Sequence, residues 1–375
     1  MPKPVAVFCV TTPMSIPLFG KRFHLLVEAG IDLHIVVGEP ITDSIPELPP
    51  EAQAHLVPMT RKISLGRDIT ALIKMVRLQR RLRPQLVAAA TPKASLIGLL
   101  AARLTRVQLR VWEVWGAKWD LDTTPTGKLL RQVDRIVARN STDIVAVSPS
   151  LKELLKREKV AEGASRVIGA GSTQGVDFGR FHPRPTPSSR REPTVGFVGR
   201  LSKDKGTQDA IEVAQLVRKS IPKLRMRFVG ALDPTDPPPL SAIETMRKAD
   251  WIEVTGWVSD TAPHFQEIDV LVFPSKREGL PNVLLEAAAS GVPVVAYAST
   301  GTVDVVHNEI TGILVKVGDT QTMATRVEQL LSDPDLHSGF AKAAQSRASE
   351  RFRAQLIQRL WTDFYLELCL PQETN

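Results

Sequence analysis

The chain has 375 residues and a formal net charge of +8, with 43% hydrophobic and 23% charged residues. This length exceeds what a single hydrophobic core usually supports, and the composition is that of a globular protein, so we expect two domains. Two distant cysteines exclude a disulfide framework, and no secretory signal or apolar run of about 18 residues is present, which together predict a cytoplasmic protein.

The first half of the chain alternates short apolar runs with helical segments. Helices are predicted at residues 21–29, 67–82 and 93–104, and strands at 4–10, 31–37, 86–90, 109–114 and 144–147. Strands separated by helices predict parallel βαβ units, and their unbroken apolar character fits strands covered on both faces. We therefore expect an α/β domain over residues 1–182.

A segment rich in Pro and Ser, residues 183–193, predicts a linker between two domains. The alternation then restarts, with strands predicted at 194–198, 225–229, 251–254, 270–273 and 292–297. We expect a second α/β domain over residues 194–350. A last helix is predicted at about 347–370, and we expect residues 351–375 to pack back on the first domain.

A turn with two glycines and two cations follows the first strand of the second domain. Gly199 and Gly206 bound it, Arg200 and Lys205 carry the charges, and a helix is predicted from Thr207. Glycines let a backbone approach a ligand closely, and a helix N-terminus offers free N–H groups and a partial positive charge. The two cations suit a pyrophosphate leaving group, which gains negative charge as its bond to a sugar breaks. The alternative is an exposed turn with basic residues.

Two carboxylates, Glu278 and Glu286, follow the strand predicted at 270–273. Pro281 suits the first position of a helix, so Glu278 precedes that helix and Glu286 lies well inside it. The separation suits two hydroxyl acceptors at opposite ends of an elongated ligand, unlike the carboxyl pair about 5 Å apart in a retaining glycosidase. Because its helix is otherwise apolar, the Glu286 carboxylate needs a polar partner. The alternatives are a helix N-terminal charge at Glu278 and an exposed Glu286.

These two motifs, with residues 290–295, resemble the retaining family-4 glycosyltransferases of the GT-B fold over nearly the whole chain. Residues 91–98 and 171–181 resemble the subgroup that builds lipid-linked precursors of capsule, exopolysaccharide, O-antigen of lipopolysaccharide, or protein glycans. The resemblance implies two doubly wound Rossmann-like α/β domains that face each other across a cleft. The first would bind the acceptor and the second the nucleotide-sugar donor.

The resemblance also implies the reaction and its partners. A hexose or N-acetylhexosamine would pass from a nucleotide-diphosphate sugar, UDP-linked, to a polyprenyl-diphosphate-linked saccharide, with retention of anomeric configuration. No cofactor and no metal are implied, because the cations of the glycine-rich turn would neutralise the leaving group. Asp120 and Asp122 have the spacing of a metal-binding DxD motif, but no clear strand end precedes them.

By this resemblance Arg200, Lys205 and Glu278 are the catalytic residues, with the cations on the diphosphate and Glu278 on the sugar. The resemblance assigns Glu286 to the ribose hydroxyls. The remaining donor-binding candidates are Gly199, Gly279, Leu280, Pro281, Asn282, Val283 and Val258.

The acceptor side is implied more weakly, and its candidates are Trp115, His24, Gly20 and Gly175. Trp115 stands where relatives tend to have His or Arg, and Gln174 stands where the subgroup usually has Asn. An indole can stack on a sugar face but cannot act as a base. Two rival functions stay open. One is a nucleotide-sugar epimerase, because the GT-B architecture also serves such enzymes, and the other is a non-catalytic nucleotide-sugar-binding protein, for which Trp115 is the best evidence.

Positive charge is concentrated in the first half of the chain. Residues 1–185 hold 27 Lys and Arg against 16 Asp and Glu, or +11, whereas residues 186–375 hold 21 against 24, or −3. On the helix predicted at 67–82, Arg67, Lys74 and Arg81 recur every seven residues, and we expect its apolar side to pack on the sheet. The members of that side are Leu65, Ile69, Leu72, Ile73 and Val76.

The basic stripe has two interpretations. It would contact an anionic membrane surface, making the protein peripheral on the inner face of the plasma membrane, or it is a solvated helix face. A nucleic-acid partner is not expected, since the chain contains no recognised nucleic-acid-binding module.

Overall fold

The computed structural model describes residues 3–41, 48–60, 64–161, 163, 165–184 and 192–370. The chain divides into two compact units. One unit runs to Gln174 and resumes at Ala354, and the other comprises Gly175–Arg353. The chain changes units at Gly175, and residues 185–191 of the predicted linker lie outside the described residues.

The first unit is a parallel sheet with helices between its strands. Its strands are β1 (Val5–Val10), β2 (Asp32–Val37), β3 (Gln53–Leu56), β4 (Leu86–Ala89), β5 (Leu109–Val114), β6 (Asp143–Ala146) and β7 (Ser165–Arg166). Its helices up to this point are α1 (Arg22–Glu28), α2 (Leu65–Leu82), α3 (Pro92–Leu104), α4 (Pro125–Asn140) and α5 (Pro149–Arg157), with a 3-10 helix at Pro13–Phe19. The strand order is β3-β2-β1-β4-β5-β6-β7, so the chain winds outward in both directions from β1.

The predicted strands of this unit are confirmed to within a residue or two, and the sheet is extended at both edges. The edge strands β3 and β7 were not predicted because they are short and polar, and the residues of β3 are largely exposed. The helices α4 and α5 were not predicted either. The central strands β1, β4 and β5 pair in parallel and are largely buried, as expected for a parallel sheet covered by helices on both faces.

The second unit has a six-stranded parallel sheet. Its strands are β8 (Thr194–Val198), β9 (Arg225–Val229), β10 (Ile252–Val254), β11 (Val270–Phe273), β12 (Val294–Tyr297) and β13 (Ile313–Val315). Its helices are α6 (Thr207–Val217), α7 (Leu240–Lys248), α8 (Ala262–Phe265), α9 (Asn282–Ala289), α10 (Thr302–Val305), α11 (Thr320–Ser332) and α12 (Pro334–Arg351). The order β10-β9-β8-β11-β12-β13 places β8 beside β11, so the two candidate motifs follow neighbouring strands.

The prediction of one helix at about 347–370 is wrong. The helix α12 ends at Arg351, and a second helix, α13 (Ala354–Cys369), begins after a break of two residues. The break is fixed by the buried side chain of Phe352, whose carbonyl accepts a hydrogen bond from the Val176 amide at 2.8 Å. Because of this break, α13 belongs to the first unit, where it packs against α1.

The orientation predicted for α2 is also wrong. Leu65, Ile69 and Ile73 were expected to pack on the sheet, yet they are exposed to 77%, 58% and 47%. The buried side of α2 consists instead of Ala71, Met75, Leu78 and Gln79, and the helix packs on α3. Ala71 and Met75 are buried there, and the Gln79 amide donates to the Gly98 carbonyl of α3 at 3.1 Å.

No helix among the described residues is both long enough and apolar enough to span a bilayer.

Candidate active site

The glycine-rich turn lies where β8 ends and α6 begins. Gly206, the residue before α6, has φ of 74°. A side chain there would be strained, and its Cβ would overlap the carbonyl oxygen of Pro274, which follows β11. The Lys276 amide also donates to the Asp204 carbonyl at 3.1 Å. The turn is therefore seated against the carboxyl end of β11, as expected for neighbouring parallel strands.

The two motifs are also joined by an ion pair between Lys205 and Glu278. The Lys205 Nζ lies 2.5 Å from the Glu278 Oε1, and the side chains retain 20% and 13% of their exposure. Glu278 lies in the loop between β11 and α9, as its spacing from Pro281 predicts. The structure thus joins two of the predicted site residues in a pair that is partly open to solvent.

Arg200 pairs with Asp233, a residue that sequence reasoning missed. Asp233 is buried and accepts hydrogen bonds from the Thr235 amide at 2.8 Å and from the Thr235 hydroxyl at 2.7 Å. Burial opposes its ionisation, but these hydrogen bonds and the Arg200 charge outweigh that effect and lower the pKa of Asp233. The largely exposed Arg200 side chain is therefore anchored to a permanent carboxylate.

A third cation, Arg277, joins Arg200 and Lys205 around the carboxylate of Asp204. Arg277 approaches Asp204 to 3.4 Å, and the Ser202 hydroxyl donates to it at 2.6 Å. Burial raises the pKa of Asp204, but the Ser202 hydrogen bond and the charges of the three cations lower it overall. Arg200 and Lys205 thus both act on Asp204 through their charges. The position of Arg277, directly before Glu278, is the signal that could have identified it.

Glu286 lies on α9 in a different polar group. Its Oε2 accepts a hydrogen bond from the Thr261 hydroxyl at 3.3 Å, and Arg180 and Asp260, themselves paired at 2.7 Å, act on it through their charges. Burial is the largest effect and raises the pKa of Glu286 from 4.5 to about 7. The polar partner expected for this carboxylate is therefore Thr261, which sequence reasoning did not identify.

The other donor-binding candidates line the start of α9 and the loop after β10. Pro281 was predicted as the first helical residue, but α9 begins at Asn282, because the Pro281 backbone is extended with ψ of 107°. Gly279, Leu280 and Pro281 are buried, Asn282 and Val283 are half-buried, and Val258 is half-buried in the loop that leads to Thr261.

In the first unit, the acceptor-side candidate Trp115 is bound to a buried carboxylate, Glu113. The Trp115 Nε1 donates to the Glu113 Oε2 at 3.0 Å. The other oxygen, Oε1, accepts from the Arg22 Nη1 at 2.8 Å and from the Tyr365 hydroxyl at 2.5 Å. The Trp115 ring lies 5.0 Å from that of Phe19. These contacts fix the indole of Trp115 through residues that the sequence did not single out.

The same network holds the segment that resembles the surface-glycan subgroup. The Arg22 Nη2 donates to the Thr173 carbonyl at 2.6 Å, and its guanidinium lies 4.1 Å from the Trp361 ring centroid. The indole of Trp361 donates to the Ser172 carbonyl at 3.0 Å. Side chains of α1 and α13 therefore hold Ser172 and Thr173, just before the chain leaves the first unit.

The remaining acceptor-side candidates differ in their surroundings. Gly20 has φ of 56°, and a Cβ there would lie 2.5 Å from the Gln358 amide nitrogen of α13, so both backbone and space favour glycine. Gly175 is buried at the first position of the second unit. His24 is exposed on α1.

The DxD-like spacing at Asp120 and Asp122 belongs to a turn. The Asp122 Oδ1 accepts from the Thr124 amide at 2.9 Å and from its hydroxyl at 2.6 Å, directly before α4. Within the described ranges, no three His, Cys, Asp or Glu side chains lie together as a potential metal site.

Comparison with known proteins places this architecture in a family. A family model described as "Glycosyl transferases group 1" matches residues 192–333, and one described as "Glycosyl transferase 4-like domain" matches residues 23–171. The capsular polysaccharide biosynthesis glycosyltransferase CapM of Staphylococcus aureus is 31% identical over 360 residues, which is 93% of each chain. The chain belongs to this glycosyltransferase family. The resemblance read from the two motifs is confirmed.

The glycosyltransferase is also 24% identical over 332 residues, or 84% of each chain, to an Escherichia coli relative. That relative is named UDP-Gal:alpha-D-GlcNAc-diphosphoundecaprenol alpha-1,3-galactosyltransferase. Among solved structures, sucrose-phosphate synthase from Thermosynechococcus elongatus matches with a TM-score of 0.81 at 20% identity, over 98% of this chain and 99% of that one. HepE from Anabaena, in complex with UDP and glucose, matches with a TM-score of 0.77 at 17% identity, over 96% and 99%. The predicted GT-B fold class is confirmed.

Proposed function

We propose that this glycosyltransferase moves a hexose or N-acetylhexosamine from a UDP-sugar to a hydroxyl of a polyprenyl-diphosphate-linked saccharide, with retention of anomeric configuration. The product would serve bacterial surface-glycan assembly, such as capsule, exopolysaccharide or lipopolysaccharide. The observation that carries the proposal is the Lys205–Glu278 pair, with Arg200 on the same turn, at the carboxyl edge of the second unit's sheet.

The charges around the turn suit a diphosphate. Arg200, Lys205 and Arg277 each face a carboxylate, so the ligand-free site is electrically compensated. A bound diphosphate would take over part of this pairing, and a guanidinium binds phosphate oxygens in a bidentate fork. Once Lys205 turns to the diphosphate, Glu278 is available to accept hydrogen bonds from sugar hydroxyls. Glu286, about one turn along α9, would accept the ribose hydroxyls.

The proposed chemistry rests on the leaving group. The bond between the sugar's anomeric carbon and the diphosphate oxygen breaks, and the acceptor oxygen bonds to that carbon on the same face. The proton of the acceptor hydroxyl passes to the departing diphosphate, so the leaving group acts as the base. Cations fixed where this negative charge develops lower the barrier without a dedicated general base, and positioning of the acceptor supplies the rest.

The lipid-linked acceptor is supported by two observations. The Escherichia coli relative acts, by its name, on a diphosphoundecaprenol-linked GlcNAc. The first half of this chain carries an excess of positive charge, which suits a substrate that holds a diphosphate at an anionic membrane surface.

The direct test is transfer by the purified protein. UDP-, GDP- and dTDP-sugars are offered with a short-chain polyprenyl-diphosphate-linked N-acetylhexosamine, and the product is identified by mass spectrometry and its anomeric configuration by NMR. We expect transfer from a UDP-sugar, and a turnover about 100- to 1000-fold lower in Arg200→Ala and Lys205→Met. Lys203→Ala is the matched control, because Lys203 is an exposed cation of the same turn.

Other outcomes identify the rivals. An isomerised nucleotide sugar formed without acceptor would show an epimerase. Protection from thermal unfolding by a UDP-sugar, without transfer or hydrolysis across the acceptor panel, would show a non-catalytic binding protein. Near-normal turnover in Lys205→Met would remove the site assignment.

A further inference from the structure

The helix α2 exposes a row of large apolar side chains. Leu65, Ile69 and Ile73 are spaced four residues apart, so they follow one another along the helix surface, and they are among the most exposed large apolar residues of the first unit. A folded protein rarely exposes such a contiguous row unless something covers it.

A row of cations lies beside the apolar row. Arg67, Lys74, Arg77 and Arg81 occupy the adjoining part of the exposed face, where the helical repeat of 3.6 residues places them. None of the four forms an ion pair with any residue that the structure describes. The helix's one acidic residue, Asp68, is paired with Lys93 of α3 at 2.7 Å. The cations of this face are therefore available to an external anion.

The fold holds this face outward. On the other side of α2, Ala71, Met75 and Leu78 are buried, and the Gln79 amide is bonded to α3. Turning the helix to bury its exposed isoleucines would break that bond and expose Met75. The apolar row is therefore an exposed surface that the packing of α2 imposes.

We propose that this face of α2, defined by Leu65, Ile69, Ile73 and the four cations, docks on an anionic lipid bilayer. Side chains of this size reach the boundary between headgroups and acyl chains, while the neighbouring cations meet lipid phosphates at the level of the headgroups. A second copy fits the face poorly, because a two-fold contact through α2 would set like charges against each other.

The docking face also lies close to one edge of the sheet. The first turn of α2 contacts the start of α3 through the Asp68–Lys93 pair, and α3 follows the carboxyl end of β4. There the Thr91 hydroxyl, before α3, lies 2.8 Å from the Thr11 hydroxyl, after β1. Docking of α2 would bring this edge toward the bilayer, which suits an acceptor held in the lipid and in this respect rests on the proposed function.

Vesicle co-sedimentation of the full chain tests the docking. We expect binding to vesicles of phosphatidylglycerol and phosphatidylcholine in equal amounts, weaker binding to phosphatidylcholine alone, and a decrease with rising salt. Combined Ile69→Glu and Ile73→Glu should weaken binding at least about tenfold. Combined Arg67→Ser, Lys74→Ser and Arg77→Ser should weaken it by about fivefold for each charge at low salt.

Matched controls lie on the second unit. Leu240→Glu replaces an exposed apolar residue of α7, and combined Lys219→Ser, Lys223→Ser and Arg247→Ser removes three exposed cations. Both controls should bind vesicles as the unaltered protein does. Thermal unfolding of each variant checks that these surface changes leave the fold intact.

The proposal is overturned if the unaltered protein does not sediment with the anionic vesicles, or if the α2 variants bind as well as the controls. It is also overturned if the α2 variants abolish self-association in analytical ultracentrifugation and vesicle binding is absent, since the occupant is then a second copy. Transfer to a water-soluble acceptor should be unchanged in Ile69→Glu/Ile73→Glu. If the unaltered protein binds the anionic vesicles but transfers no sugar, only the proposed function is contradicted.

Discussion

The Arg22–Glu113 pair of the first unit and the Lys205–Glu278 pair of the second unit each join a cation to a glutamate carboxylate, but in different settings. Arg22 and Glu113 are fully buried, and the Glu113 oxygens accept from Arg22, Tyr365 and Trp115. Lys205 and Glu278 keep part of their exposure. A buried carboxylate with three donors is fixed in place, whereas a partly exposed pair can exchange its partner for a ligand.

The groups that donate hydrogen bonds to Glu113 keep their protons. Burial, followed by the nearby charge of Glu113, raises the pKa of Tyr365 well above its usual value, so its hydroxyl keeps the proton that it donates. The Arg22 guanidinium lies against the Trp361 ring. The Arg22 Nε has no hydrogen-bond partner among the described residues. The network therefore has a structural function, in which α1, β5 and α13 are joined through one carboxylate.

Removal of the buried cation should have the largest effect on stability. Arg22→Met leaves Glu113 buried without its charge partner, and we expect the free energy of unfolding to fall by about 3 to 5 kcal/mol. Urea denaturation followed by circular dichroism measures this change. Arg131→Met is the matched control, since Arg131 pairs with Glu158 in the same unit but both side chains keep about a third of their exposure. The control should lose about 1 kcal/mol or less.

Breaking the partly exposed pair should destabilise the protein much less. In Lys205→Met we expect a loss of about 1 kcal/mol or less, because solvent reaches Glu278 and screens the unpaired charge. The same variant loses transfer under the proposed function. A destabilisation as large as that of Arg22→Met would mean that the Lys205–Glu278 pair supports the fold, and the contrast between the two pairs would then be wrong.

Glu286 should make the stability of the protein depend on pH. Its pKa is raised from 4.5 to about 7 in the folded protein, so the folded chain holds this proton more tightly than the unfolded chain does. Its contribution to stability is therefore complete below about pH 4.5 and is lost as pH rises through about 7, by about 3 kcal/mol at most. Glu286→Gln should remove this component from the pH dependence of the unfolding free energy.

The measurement is a series of urea denaturation curves between pH 5 and pH 8, a window set by the raised pKa. Glu244→Gln, on the exposed face of α7, controls for the loss of one carboxylate. If the Glu286→Gln and control curves run parallel over this window, the carboxyl of Glu286 does not titrate as described. If Glu286 accepts ribose hydroxyls as a carboxylate, UDP-sugar binding should also strengthen as pH rises through about 7.

The sequence predicts that each charged motif follows the carboxyl end of a parallel strand, and therefore that both lie at one edge of the second unit's sheet. The strand order then makes β8 and β11 neighbours, which brings Lys205 to Glu278. Neither this adjacency nor the other partners of the motifs could be predicted from the sequence. Asp233 reaches Arg200 because β9 lies on the other side of β8, and this order is a property of the whole sheet.

The wrong orientation predicted for α2 and the missed Glu113 network also have specific causes. The apolar pattern of α2 contains two rows, one with Ile69 and Ile73 and one with Ala71 and Met75, and periodicity alone does not decide which row is buried. The packing of Gln79 on α3 decides it. The Glu113 network joins segments that are up to 252 residues apart, and no local pattern predicts contacts of that kind.

The last prediction concerns Trp115, where the buried network reaches a candidate acceptor residue. Trp115→Phe keeps an aromatic ring against Phe19 but removes the hydrogen bond to Glu113, so we expect a stability loss of about 1 to 2 kcal/mol. Trp119→Phe is the matched control, since the Trp119 indole donates to the buried Asp134 at 2.6 Å. If Trp115 contacts the acceptor, its variant alone should raise the acceptor KM and leave the donor KM unchanged. Equal acceptor KM values in the two variants would show that Trp115 belongs only to the Glu113 network.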